Sequence, residues 1–488
     1  MTMRAMAAML GLAVSACAVG PDFKSPQPTA ADRYLADSPG RSEAPATLPT
    51  RFQRGTEVVA RWWTLFGSAP LDTLVADAVA RSPNLKAARA ALRQSEDSLK
   101  AGYGVFYPQI GAAASATRQS SVVVIDRALA STGAYSVGTV AASVSYGPDL
   151  FGGQRRTVEA LGAKVDLARD EYLAAYLALT ANVVNAAIAR AGYQAQRDAL
   201  VDVIQMQDDQ VRIAEVQFQA GTASYAPVVA LQSQRAANQA TRIGLEQRID
   251  QSEDLLALLG ARAPSEASLP SIAIEDLSLP VDLPDTLPSL LVRRRPDILA
   301  AEADLHAASA QIGIATADLF PSLALGGERG TSNSAISAMF HAGIPIWSVQ
   351  ASVAASLFNG GSQWYTRRAA IDAYDGSLAL YEQTVLAALS QVADTMRALA
   401  HDAQAMQADG DALAAAQENL HLTRINYEAG TAGYLDLLTA DGQFQQARLA
   451  LFGAVAQRLQ DTVALYAALG GGWWDDPAAR PFASTAPR

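Results

Sequence analysis

The side chains in this sequence that could do chemistry are few and poorly spaced for it. Its four histidines, His306, His341, His401 and His421, show no His-x-x-x-His pair and no carboxylate spacing that would hold a metal. No Gly-rich loop ends in Lys-Ser or Lys-Thr to cradle a phosphate, and no Gly-x-Ser-x-Gly elbow presents a nucleophile. Arg293-Arg294-Arg295 has the charge for nucleic acid, but Pro296 and Asp297 follow it. Proline and an acid in a first turn mark a helix entry instead. The chain's net charge of −11 also makes nucleic acid a poor partner. No catalysis, no metal and no cofactor are expected.

Cys17 is the exception. It is the only cysteine, so no disulfide can form within the chain. Ahead of it stand one charge, Arg4, an apolar run from Ala5 to Val14, and small residues. This is the pattern of a secretory leader. Val14-Ser15-Ala16-Cys17 resembles a bacterial lipobox, in which small residues admit a peptidase to the bond before the cysteine. The thiol carries a diacylglycerol and the amine freed by cleavage an acyl chain. One acyl chain holds a protein marginally and several hold it firmly, at about 0.8 kcal/mol per buried CH₂. Ala18 rather than Asp in the second mature position points to the outer membrane. No later window offers 18 or more apolar residues free of charges and amides. The best, Leu173 to Ile188, is broken by Asn182 and Asn185, so no transmembrane helix is expected.

What must position any site is a duplicated body. Tyr107-Pro108 returns as Phe320-Pro321, Leu150-Phe151-Gly152 as Leu357-Phe358-Asn359, and Phe218-Gln219-Ala220-Gly221-Thr222 as Tyr427-Glu428-Ala429-Gly430-Thr431, at offsets of 213, 207 and 209. A period of roughly 210 residues is too long for a solenoid, so each copy is half of one body. Proline is absent between Pro148 and Pro227 and again between Pro345 and Pro477. Both tracts are rich in strong helix formers. A helix from Arg155 to Gln219 would run roughly 98 Å, and its apolar positions recur at three and four, as in a coiled coil. A shorter helix is expected near Leu71 to Phe106.

Between the helices the period changes to two. Val140, Ala142, Val144 and Tyr146 alternate with Thr139, Ala141, Ser143 and Ser145; Trp347, Val349, Ala351, Val353, Ala355 and Leu357 alternate with small or polar residues. Further strands are expected around Gly111 to Arg118 and Ser322 to Arg329. Each copy therefore reads helix, strand, strand, helix, helix. Four strands cannot close a barrel, and an open edge in hydrocarbon leaves backbone groups unpaired at several kcal/mol each. Strands that cross a membrane here require the chain to oligomerise. A soluble β-sandwich would have only two hairpins with which to build its core.

Several local sequences together resemble the TolC-like outer membrane efflux proteins, in their lipoprotein branch. They are Cys17-Ala18-Val19-Gly20-Pro21-Asp22-Phe23-Lys24-Ser25-Pro26, Trp62-Trp63-Thr64-Leu65-Phe66, Arg294-Arg295-Pro296-Asp297-Ile298, the two Ala-Gly-Thr turns, and Leu469-Gly470-Gly471-Gly472-Trp473. The resemblance implies a mainly α fold with a β-barrel part: a homotrimer whose four strands per chain close one twelve-stranded outer-membrane barrel. That barrel continues into a periplasmic α-helical coiled-coil barrel built from two tandem repeats. The implied boundaries are a leader over 1–16, a lipid-anchored extended segment over 17–60, and repeat 1 over 61–270. A linker over 271–285, repeat 2 over 286–472 and a tail over 473–488 follow.

The same resemblance implies an exit channel for drugs or other small molecules, docked through a periplasmic adaptor onto an inner-membrane transporter of RND type that supplies the energy. Alternatives are an outlet for type I protein secretion or metal export, or a lipid-anchored helical scaffold that conducts nothing. Four methionines, Met206, Met339, Met396 and Met406, remain after the leader, unclustered, and lend metal export no support. By resemblance, Ala220, Gly221 and Thr222 with Ala429, Gly430 and Thr431 are adaptor-docking hairpin tips. Tyr427, Leu435, Asp436 and Thr439 match positions around the periplasmic aperture, where copies of Asp436 would form a carboxylate ring selecting cations. Thr439 stands where the family has a second carboxylate, and Ala432 where it has a basic partner for the tyrosine. Copy one has no acid at the place matching Asp436, near Val229.

Overall fold

The computed structural model describes residues 18–27, 33–35, 51–125, 128–286, 288–335 and 341–479. The expected leader, Cys17 and Met339 lie outside them. Seven main helices are α1 (Ala69–Arg81), α2 (Pro83–Gly102), α3 (Gly153–Gln219), α4 (Ala226–Leu259), α5 (Pro296–Ala317), α6 (Ser362–Glu428) and α7 (Tyr434–Ala468). Strands are β1 (Arg51–Arg54), β2 (Gln109–Ile125), β3 (Ala128–Tyr146), β4 (Asp282–Asp285), β5 (Ser322–Asn333) and β6 (Ile344–Ala354). The proline-free tracts are helical as expected, and α3 and α6 each have 67 residues, about 100 Å apiece.

Three sequence expectations need revision. The helix over Leu71 to Phe106 is broken at Ser82, because Pro83 lacks an N–H and biases the residue before it away from helical geometry. The Ser82 hydroxyl instead caps α2, accepting from the Leu85 N–H at 3.3 Å. The strands are longer than their alternation announced: β2 has 17 residues and β3 19. β6 stops at Ala354, leaving Ala355 and Leu357 beyond it. By mean hydropathy, α3 does hold an 18-residue stretch apolar enough to cross a membrane, but 61% of that stretch is buried inside the fold, as in the core helix of a water-surrounded body.

The chain divides into two compact units that cut across the sequence repeats. The first comprises residues 18–26, Leu92–Ala168 and Ala301–Tyr381. It holds one antiparallel sheet in the order β2-β3-β5-β6, so β3 pairs with β5 to join copy one to copy two, while β2 and β6 are unpaired edges. Register places Ile110, Val144, Gly327 and Val349 in one row and Gly111, Ser143, Glu328 and Ser348 in the next. Rows therefore alternate between faces, as the period of two predicts. Below the sheet, Leu92 and Leu99 of α2 pack against Val165 and Ala168 of α3, and Ile312 and Ala315 of α5 against Ala370 and Ile371 of α6. The repeated aromatics meet directly: Phe151 stacks on Phe320 with ring centroids 4.7 Å apart.

The second unit comprises residues 27–91, Arg169–Ala300 and 382–479 among those described. Tyr172, Val184 and Ile188 of α3 are fully buried in it, and Leu200 and Val203 pack against Leu245 of α4. Three of the sequence signatures meet here. Trp62, wholly buried, stacks on Tyr466 at 5.4 Å. The Trp473 indole donates to the Arg294 carbonyl at 2.8 Å, and the Arg294 guanidinium lies over Trp474 at 4.5 Å and pairs with Glu57. Arg295 grips Asp297 with two nitrogens, at 3.0 and 2.7 Å, and the Ala468 carbonyl at 2.9 Å. The arginine run is thus a structural fastening at the start of α5.

Candidate functional site: hairpin tips and open sheet edges

The two hairpin tips, both in the second unit, repeat each other bond for bond. After α3, the Gly221 N–H donates to the Phe218 carbonyl at 3.0 Å and the Thr222 N–H to the Gln217 carbonyl at 3.0 Å. After α6, the Gly430 N–H donates to the Tyr427 carbonyl at 3.0 Å and the Thr431 N–H to the Asn426 carbonyl at 2.9 Å. This is the Schellman pattern, which places the residue after the helix in the left-handed region. Gly221 and Gly430 sit there, at φ 69° and 76°, where side-chain-bearing residues are strained. The threonine hydroxyls add a second bond to the same carbonyls, at 2.9 and 3.0 Å. That accounts for Ala-Gly-Thr as a unit: alanine closes the helix, glycine reverses the chain, threonine satisfies an orphan carbonyl. All six residues are exposed.

An aromatic pair braces each tip across the hairpin, again at matching places: Phe218 with Tyr225 at 5.1 Å and Tyr427 with Tyr434 at 5.7 Å. The second tip also gathers the other expected aperture residues. Leu435 is 68% exposed, and Asp436 and Thr439 are exposed on the next turns of α7. Asp436 has a local task that the sequence comparison did not suggest. It is the third residue of α7, and its carboxylate accepts the Gly433 N–H at 2.9 Å, which caps the helix and sets a negative charge at the positive end of its dipole. The Thr439 hydroxyl is turned inward to the Leu435 carbonyl at 2.9 Å.

Sequence reasoning missed Tyr434 and Asp441. Burial raises the Tyr434 hydroxyl to about 12, with smaller contributions from Tyr427, Asp209 and Asp441. Burial also raises the Asp441 carboxyl, against the opposing effects of a Gln445 hydrogen bond and Arg424. The signal was available: Asp441 falls five residues past Asp436, on the side of α7 that turns toward the core. Among the described residues, no group of three or more His, Cys, Asp or Glu is placed to hold a metal ion.

In the first unit the open edges of the sheet are the other chemically telling feature. On β6, Trp347 is 77% exposed, Val349 81% and Val353 72%. Val349 shares its row with Gly327 and Val144, Val353 pairs with Leu323, and Trp347 shares its row with Ala142 and with Arg329, a charged residue on this largely apolar face. An exposed apolar face of this size on a sheet with two unpaired edges is what water penalises and a bilayer accepts.

Comparison with known proteins decides the family. Residues 74–261 and 287–471 match the outer membrane efflux protein family. The chain belongs to that family. This efflux protein is 27% identical to the toluene efflux pump outer membrane protein TtgC of Pseudomonas putida over 487 residues, 96% of each chain. It is 25% identical to the cation efflux system protein CusC of Escherichia coli over 470 residues, 95% of this chain and 97% of that one. Among solved structures, the outer-membrane channel OprN superposes with a TM-score of 0.83 at 27% identity, covering 94% of this chain and all of that one. The matched blocks follow the two copies seen in the sequence.

Proposed function

We propose that this efflux protein is the outer-membrane exit duct of a tripartite pump, a homotrimer lipidated at Cys17 that conducts small molecules and catalyses nothing. The observation that carries the reading is the sheet with free edges at β2 and β6 and an apolar face exposed on each strand between. Joining β6 of one chain to β2 of the next removes every edge at once, and three chains of four strands give a barrel within the bacterial size range. The first unit carries its helix pairs in the same sequence: α2 packs on α3 and α5 on α6, so the same joint would close a helical wall beneath the strands.

Relatives named for cargoes as unlike as toluene and cations align over nearly the whole chain at similar identity. A duct that takes its cargo from its partners fits that pattern, and the exposed hairpin tips are where we place the periplasmic adaptor, with an inner-membrane transporter beyond it. Asp436 of each chain would then ring the aperture together with Tyr427, Leu435 and Thr439. The test is native mass spectrometry of detergent-extracted protein, with planar-bilayer recording of the same preparation. A lipid-bearing trimer that opens discrete channels is expected, and a monomer soluble without detergent would overturn the reading.

A further inference from the structure

The signature after Cys17 has a built seat in the first unit, and an arginine lies at its centre. Arg156, in the first turn of α3, is 5% exposed. Its guanidinium meets Asp22 at 2.7 Å and Glu159 at 2.7 Å, and its Nε donates to the Val19 carbonyl at 3.4 Å. Glu159 also meets His306 at 3.1 Å, and Phe23 stacks flat on the His306 ring at 4.3 Å and 14°. The backbone joins in: the Val19 N–H donates to the Phe151 carbonyl at 3.0 Å. At Gly20 the contact is so close that a Cβ would stand 2.5 Å from the Gly313 Cα, and one on Gly313 would stand 2.7 Å from the Arg156 Cγ.

We propose that Arg156 is the positioning residue of an N-terminal latch, in which residues 18–24 are seated across α3 and α5 so that the lipid-bearing residue is held beside the strand-to-helix junction. Two facts select the chain's own segment as the occupant. A buried guanidinium needs anionic partners, and one of the two it has, Asp22, comes from the segment. The seat also admits no side chain at Gly20, which lies at φ 97°. Residue 18 rests against Gly152, one residue before α3 begins, so the described start of the segment lies at the strand-to-helix junction. The lipid then fixes the membrane level of the channel instead of trailing on a free tether. This inference rests on the outer-membrane reading for the direction of the lipid, while the seat itself stands without it.

The experiment is limited trypsinolysis of the full mature protein, following cleavage after the exposed Lys24 by mass spectrometry. Two variants loosen the seat by different routes. Asp22→Ala removes the charge from the segment and replaces no buried side chain, since the Asp22 side chain is itself exposed. Gly313→Ala displaces Arg156 while raising local helix propensity, so a weakened α5 cannot explain its effect. Both are expected to speed cleavage after Lys24 at least about tenfold with an unchanged far-UV spectrum. Rates equal to wild type in Asp22→Ala would overturn the proposal, as would wild-type protein cut there as fast as either variant. Whether the chain conducts is read separately in bilayers, so loss of the latch and loss of the channel reading are distinguishable.

Discussion

Asp402 of α6 lies partly buried near Asp461 of α7 in the second unit, and burial together with a neighbouring carboxylate favours the protonated form of an acid. Burial, then the hydrogen bond to Asp461 and its charge, raise the Asp402 carboxyl from its ordinary 3.8 to about 7, against the lowering effect of Arg458. Arg458 is itself 2% exposed, and Gln457 donates to Asp461 at 3.0 Å. The sign follows from proton counting. Between about pH 4 and pH 7 the folded chain holds a proton that the unfolded chain has released, so stability is greatest at the acid end and declines as pH rises through that window. Each pH unit across it is worth about 1.36 kcal/mol, a ceiling near ~4 kcal/mol. Asp402 keeps partial contact with water, and screening reduces the expected effect to about 1–2 kcal/mol.

Asp402→Asn should abolish this dependence, leaving the variant close to wild type at pH 5 and more stable at pH 8. Thermal unfolding of detergent-solubilised protein, followed by circular dichroism at pH 5, 6, 7 and 8, should show the two melting curves separating by a few degrees as pH rises. Parallel curves would refute the retained proton, and a wild type that gains on the variant with rising pH would refute its sign.

Other expectations concern the tips and the strands. Asp436→Asn keeps an acceptor for the Gly433 N–H, so it should leave α7 capped while raising single-channel conductance and lowering cation selectivity in bilayers; unchanged values would place Asp436 away from the constriction. A Cβ at Gly430 would meet no atom within 4 Å, so the main cost of Gly430→Val is left-handed backbone strain of about 1–2 kcal/mol. Trimer assembly should survive it and efflux in a channel-deficient host should not. Val349→Arg should cost about 2–4 kcal/mol if that face meets lipid at the midplane, whereas Ser348→Arg, on the opposite face, should be tolerated. Equal loss of heat-resistant oligomer in both would mean the faces are assigned wrongly.

Much of the fold was legible because its signals are periodic. The absence of proline over two long tracts announced α3 and α6, and alternation around Val140 and Trp347 announced β3 and β6 with the correct parity. The outer parts of β2 and β3 were not legible, since β2 ends in an unbroken apolar run from Val122 to Ile125 and β3 begins with Ala, Ser, Thr and Gly on both faces, so neither alternates. The break at Ser82 was legible in principle from Pro83, but an apolar pattern continuing on both sides hid it. Of the site, the turns at Gly221 and Gly430 could be placed from the internal repeat and the family resemblance, supported by glycine's turn chemistry. The capping role of Asp436 was legible in principle from its place three residues after Gly433 but was passed over, whereas the pairing of Arg156 with Asp22 could not be read, because it depends on which segment lies alongside. Asp22 and Arg156 are far apart in sequence and nothing local in either marks the other.

The joining of β3 to β5 makes the contact between the two copies within a chain a counterpart of the contact proposed between chains. Around such a ring, neighbouring hairpins are equivalent in backbone but encoded by separate stretches of the gene. Asp436 lies in one copy while valines and a proline stand at the corresponding turn of the other. Assembly from a single unduplicated unit would have to place an acid on every hairpin or on none, crowding like charges around the opening. In the proposed ring, duplication would let charge alternate, so the electrostatics of its opening could be altered by mutation while the geometry that closes it is left alone.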